Sequence, residues 1–124
     1  MFVLNVDDDE EDGSIFMEAV KEIDSQINCV FISKAEDAIE LLSANTGILP
    51  DYIFLDINMP HMDGRECLVA LRRIPSLNSV KIVMFSTSIP ENEARTYRAL
   101  NATCLKKPSD FRSLKASLKQ ILIR

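Results

Sequence analysis

Short apolar runs and helix-length amphipathic stretches alternate along the chain. Phe2–Val6, Cys29–Ile32, Tyr52–Leu55 and Ile82–Phe85 are rich in β-branched and aromatic residues, and a weaker run spans Ala102–Leu105. Such runs read as strands covered on both faces. Between them, apolar residues recur three, four and seven apart, as on one face of a helix. They are Ile15, Phe16, Ala19, Val20 and Ile23, then Ala35, Ala38, Ile39 and Leu42, then Cys67, Leu68 and Leu71. Ala94 and Tyr97 mark a fourth helix, and Phe111, Leu114, Leu118, Ile121 and Leu122 a fifth. Ser33, with Glu36 three residues on, suits a capped start for the second helix. Pro90 suits the first turn of the fourth. Pro50 and Pro75 fall between elements. Five strands alternating with five helices predict an α/β chain, (βα)5, with a parallel sheet between two helical layers.

Composition narrows the class without changing the fold. At 124 residues, 47% hydrophobic and 27% charged, with three Gly and five Pro, the chain reads as one globular domain over 1–124. Fourteen Lys and Arg against nineteen Asp and Glu give a net charge of −5, which argues against nucleic acid as partner. No apolar run approaches the about 20 residues of a membrane span. Phe2–Val6 runs into acids and lacks the basic start of a signal peptide. A cytoplasmic location without a membrane partner is the expectation. Cys29, Cys67 and Cys104, odd in number and set among apolar neighbours, read as reduced core thiols.

In an open parallel sheet, ligands bind beyond the carboxyl ends of the strands. The first run is followed by six acids, Asp7 to Asp12; the third ends in Asp56, the fourth in Ser86-Thr87-Ser88, the fifth in Lys106-Lys107-Pro108. Each has a local explanation: acids favour a helix N-terminus, Asp and Ser cap turns, and Lys-Pro ends a strand. The coincidence of all four at one rim is the stronger observation. Asp7, Asp8 and Asp56 would bring three negative charges together, a costly arrangement without a cation. Carboxylate oxygens with water positions left over suit Mg²⁺. Lys107 and Ser86 could hold the oxygens of a phosphoryl group, and a carboxylate in that setting can be the nucleophile.

Val6-Asp7-Asp8-Asp9, the segment from Asp51 to Gly64 containing LDINMPHMDG, Val83-Met-Phe-Ser86-Thr and Lys106-Lys107-Pro108 resemble the response-regulator receiver family of two-component signalling. The likeness runs the length of the chain, in order. It implies a flavodoxin-like, three-layer fold with sheet order 2-1-3-4-5. It also implies Mg²⁺-dependent transfer of a phosphoryl group from a histidine kinase or histidine phosphotransfer protein. By position, Asp56 is the implied acceptor and Asp8 the main metal ligand, assisted by Asp7 and by the backbone carbonyl of Asn58. Ser86 is the implied switch hydroxyl, and Lys107 the partner of the phosphoryl group. The resemblance further implies a cis Lys107–Pro108 bond and a loop glycine, Gly64, at positive φ.

Two positions depart from the family pattern. Cys104 stands where the family has the Tyr or Phe of its switch, and Lys106 where it has an apolar strand residue, so Lys106 should snorkel outward. The only histidine, His61, reads as a solvent-facing loop residue, and no serine or cysteine has another base partner for a hydrolase triad. The chain reads as a signalling module rather than an enzyme, catalysing only its own phosphorylation and dephosphorylation. With nothing after the fifth helix, its expected output is protein contact. The acidic opening is similar to that of single-domain receivers paired with phytochrome-type kinases. A pseudo-receiver, unphosphorylated and acting as an interaction module, is the alternative, and the complete acceptor, metal and lysine set argues against it. A flavodoxin-like cofactor binder would need a phosphate loop where this chain has acids. A haloacid-dehalogenase-type phosphatase would need an acid at Asn58.

Overall fold

Strands form at Phe2–Val6 (β1), Asn28–Ile32 (β2), Tyr52–Leu55 (β3), Lys81–Ser86 (β4) and Ala102–Lys106 (β5). The computed structural model describes residues 1–44 and 47–123. Helices span Glu10–Ile23 (α1), Ala35–Ser43 (α2), Gly64–Arg72 (α3), Glu91–Ala99 (α4) and Phe111–Leu122 (α5). All strand pairs are parallel, in the order β2-β1-β3-β4-β5. The expected sheet and its order are both observed.

Side-chain alternation along the strands separates two apolar layers. Leu4, Val6, Ile53, Leu55, Ile82 and Met84 face α2, α3 and Tyr97 of α4. Val3, Tyr52, Phe54, Val83 and Phe85 face Phe16, Ala19 and Val20 of α1 and Leu114, Leu118 and Leu122 of α5. Each large side chain so buried contributes about 1.5–3 kcal/mol. In the second layer Phe16 meets Phe54 edge-on at 5.0 Å, and Phe54 meets Phe85 at 6.0 Å. The edge strand β2 departs from full coverage: Cys29 to Ile32 are only half-buried.

Register sets the functional end. Val6 lies opposite both Ile32 and Leu55, and Leu55 opposite Met84, so Asp7 and Asp56 leave neighbouring strands at one rim. Ser86 pairs with Lys106 on the same side. The opposite rim is held by Arg72, whose guanidinium donates to the carbonyls of Leu77, Val80, Leu100 and Asn101 at 2.9–3.2 Å. One planar cation thus ties the end of α3 to the approach to β4 and to the α4–β5 turn.

Three local expectations change. The residue before α2 is Lys34, with no side-chain cap, so Ser33 does not cap that helix. Pro90 precedes α4 as its N-cap rather than lying in its first turn. Pro75 opens a short 3₁₀ turn, Pro75–Leu77, where its fixed φ and missing N–H cost nothing. Among the described residues, no helix is long and apolar enough to cross a membrane.

Candidate functional site

The Asp7 amide donates to Ile32 O at 3.1 Å and the Asp56 amide to Val6 O at 2.9 Å, which fixes both residues to adjacent strands. Both are buried, whereas Asp8 is exposed. One carboxylate oxygen from each of Asp7, Asp8 and Asp56 lies within 4.8 Å of the other two. This all-oxygen set fits a hard divalent cation such as Mg²⁺, with room for water ligands on the exposed side of Asp8.

Lys107 faces the same carboxylates. Its amide donates to Ser86 O at 2.8 Å, which joins the ends of β4 and β5. Its Nζ lies 2.7 Å from Asp7 Oδ2, 3.3 Å from Asp12 Oδ2 and 3.7 Å from Asp56 Oδ1. It also sits 5.4 Å from the centre of the Phe85 ring. Burial pulls the ammonium's pKa down, but the hydrogen bond it donates to Asp7 and the charges of Asp56, Asp7 and Asp12 outweigh it, so the pKa is raised. Burial pushes the Asp56 carboxyl up to about 6. Lys107 opposes that rise, Asp7 and Asp8 add to it, and the Asn58 amide lowers it again. At neutral pH Asp56 is therefore still mainly a carboxylate, able to act as a nucleophile.

The acid run divides into separate tasks. Asp7 Oδ1 accepts from the Asp9 amide at 3.0 Å. Asp9 is the N-cap of α1, accepting from the amides of Glu11 and Asp12. Glu10, Glu11 and Asp12 then occupy the first turn, where negative charge favours the helix. The local explanation of the run is correct for Asp9, Glu10 and Glu11. The contact of Asp12 with Lys107 escaped the sequence reading. Its only signal was its place in the first turn of α1, five residues after Asp7.

Gly64 is the loop glycine, but not through positive φ, which among the described residues occurs only at His61, Asn101 and Gly47. A Cβ at Gly64 would come 2.5 Å from the Asp56 carbonyl oxygen and 2.6 Å from the Ile57 Cα. Close backbone approach therefore demands the glycine, and its amide donates to Ile57 O at 2.7 Å. The Lys107–Pro108 bond is also a correction: no peptide bond among the described residues is cis, and trans is the isomer ordinarily favoured before proline. His61 is exposed, as expected, and so is Lys106. Ser86 is buried at the end of β4. Cys104 is half-buried and packs on the cluster that contains Tyr97. Burial raises its thiol pKa, Arg98 lowers it and Glu91 raises it. All three cysteines are free; burial lifts Cys29 to about 11 and, with Glu36, Cys67 to about 12, so these stay thiols.

The sequence model of the response regulator receiver domain matches residues 3–119. The chain belongs to that family. As a receiver it is a module of two-component signalling rather than an enzyme in the ordinary sense, and receivers as a family interact with kinases or phosphotransfer proteins. The probable methanogenesis regulatory protein FilR2 of Methanothrix harundinacea is 25% identical over 96% of this receiver and 79% of its own length. The phosphorylated cyanobacterial phytochrome response regulator RcpA is 28% identical, with a TM-score of 0.86 over 97% of this chain and 89% of that one. The Mn²⁺-bound form of response regulator Rcp1 is 25% identical, with a TM-score of 0.83 over 97% and 90%. Several other curated relatives are longer, and the receiver spans a fifth to a half of their length.

Proposed function

We propose that this receiver accepts a phosphoryl group on Asp56, in a Mg²⁺-dependent reaction, from the phosphohistidine of a histidine kinase or phosphotransfer protein. The observation that carries this reading is the placement of Lys107 Nζ 3.7 Å from the Asp56 carboxylate, beside the Asp7, Asp8 and Asp56 oxygen cluster. An Asp56 oxygen attacks phosphorus in line, the new O–P bond forms as the P–N bond breaks, and the imidazole leaves with that electron pair. Asp7, Asp8, Asp56 and the Asn58 carbonyl would hold Mg²⁺, which when bound would neutralise the charge of the crowded oxygens. Lys107 donates a hydrogen bond to one phosphoryl oxygen and the Ser86 hydroxyl to another. The preorganised cation at the rim stabilises the charge that develops there.

The likeness to a phosphorylated phytochrome response regulator and to an Mn²⁺-bound receiver supports both the chemistry and a sensor kinase of that kind as donor. The signal leaves by protein contact, and the reaction takes place in the cytoplasm. With Cys104 in place of a ring, the turn of Ser86 toward the phosphoryl group has no large aromatic at position 104 to move inward, so the change it transmits to the fourth-helix face is small. Acetyl phosphate and Mg²⁺ should add one phosphoryl group by intact mass, mapped to Asp56, and Asp56→Asn should stay folded and unlabelled. Equal labelling of that variant would move the acceptor elsewhere. No labelling of the wild type would favour a pseudo-receiver.

A further inference from the structure

Lys107 is shared by three carboxylates, and they are not equivalent. Asp7, nearest at 2.7 Å, is buried and fixed by the Asp9 amide. Asp56 is the proposed acceptor. Asp12, at 3.3 Å, lies outside the Asp7–Asp8–Asp56 cluster, and its side chain is 47% exposed. It borders a cavity of about 240 Å³ lined by Ile15, Phe16, Phe85, Lys107 and Phe111. The Lys107 side chain is only 12% exposed, so its ammonium has few alternatives to these partners.

We propose that Asp12 is a positioning residue for Lys107, drawing the ammonium toward α1 while Asp56 is unmodified. The inference rests on the reading of Asp56 as phosphoacceptor. Phosphorylation turns the singly charged Asp56 carboxylate into an acyl phosphate carrying about two negative charges, and Lys107 reaches its oxygens by giving up the Asp12 contact. Asp12 is the partner to lose. It is the most solvated of the three, so water replaces its hydrogen bond at little cost, whereas Asp7 lies buried against the lysine. The resting contact therefore opposes phosphorylation, and its removal leaves the lysine free to serve the acceptor.

The test measures initial rates of Asp56 labelling by acetyl phosphate and Mg²⁺. The proteins are wild type, Asp12→Asn, Asp12→Glu, Lys107→Ala and the Asp12→Asn/Lys107→Ala double variant. Asp12→Asn should label about two- to fivefold faster, the range a partly exposed ion pair supports. Asp12→Glu, which restores the charge, should fall back toward wild type. In the Lys107→Ala background the same change should have no effect, because the group it positions is gone. Equal acceleration in both backgrounds would mean that Asp12 merely repels the anionic donor, and the proposal would be overturned. An unchanged rate in Asp12→Asn would overturn it as well. The Lys107 ammonium NMR signal should shift in Asp12→Asn, a contact readout independent of labelling. If wild type itself fails to label while that shift is seen, the acceptor reading has failed, and the positioning role falls with it.

Discussion

Gly64 and Asp56 touch through their backbones, although they are eight positions apart in the sequence. The absence of one methyl group keeps the loop after Asp56 in place. Gly64→Ala should therefore cost about 1–3 kcal/mol in urea unfolding, the usual penalty for overpacking, and should slow labelling of Asp56 by displacing its carbonyl. A change under 0.5 kcal/mol would mean that the loop yields freely. The glycine was legible in the sequence, but its reason was not. A motif marks the position, whereas only coordinates distinguish a positive φ from a crowded backbone. The same holds for Asp12: six acids in a row carry no mark of which one turns inward to the lysine. Asp7, Asp8, Asp56, Ser86 and Lys107 were legible because each directly ends a strand run or follows one.

At the scale of elements, hydrophobic period placed all five strands and all five helices, with edges shifted by a residue where a polar side chain ends a strand, as at Asn28, Lys81 and Lys106. The joints were less legible. Arg72 looked like an ordinary charged residue at the end of a helix, and only the tertiary structure turns it toward four carbonyls from two separate connections. Burial lowers its pKa, yet a guanidinium keeps its charge. Arg72→Met, which retains much of the apolar stem, should lose about 2–4 kcal/mol through carbonyls left without a donor. Arg72→Lys should recover little, since one ammonium cannot span the same set. Chemical denaturation of both variants checks this, and full recovery by lysine would show that charge alone suffices.

For the molecule as a whole, the buried carboxylate of Asp56 opposes folding when no metal is bound. The unfolded Asp56 titrates near the ordinary 3.8 and the native one near 6. Between these values the native state keeps a proton that the unfolded chain has lost. Stability from this residue therefore falls as pH rises from about 4 to 6 and levels off above. In EDTA, the stability of wild type relative to Asp56→Asn should decline across that window. A flat difference would mean that burial of Asp56 is relieved in solution. Mg²⁺ at one hundred times its dissociation constant should restore about 2.7 kcal/mol at neutral pH. Asp8→Asn should raise the metal-free melting temperature and abolish most of the Mg²⁺ shift. Equal Mg²⁺ shifts in both proteins would remove Asp8 from the ligand set.

The bond between Asp7 and Lys107 joins residues one hundred positions apart. During synthesis, the first carboxylates leave the ribosome long before the lysine that completes their surroundings, and β5 takes its place at the sheet edge last in sequence. A chain stalled, truncated or misregistered before that point carries Asp56 but not its cation. On the proposed reading, the ion pair that the chemistry requires can therefore form only once β5 has joined β4 and closed that side of the sheet.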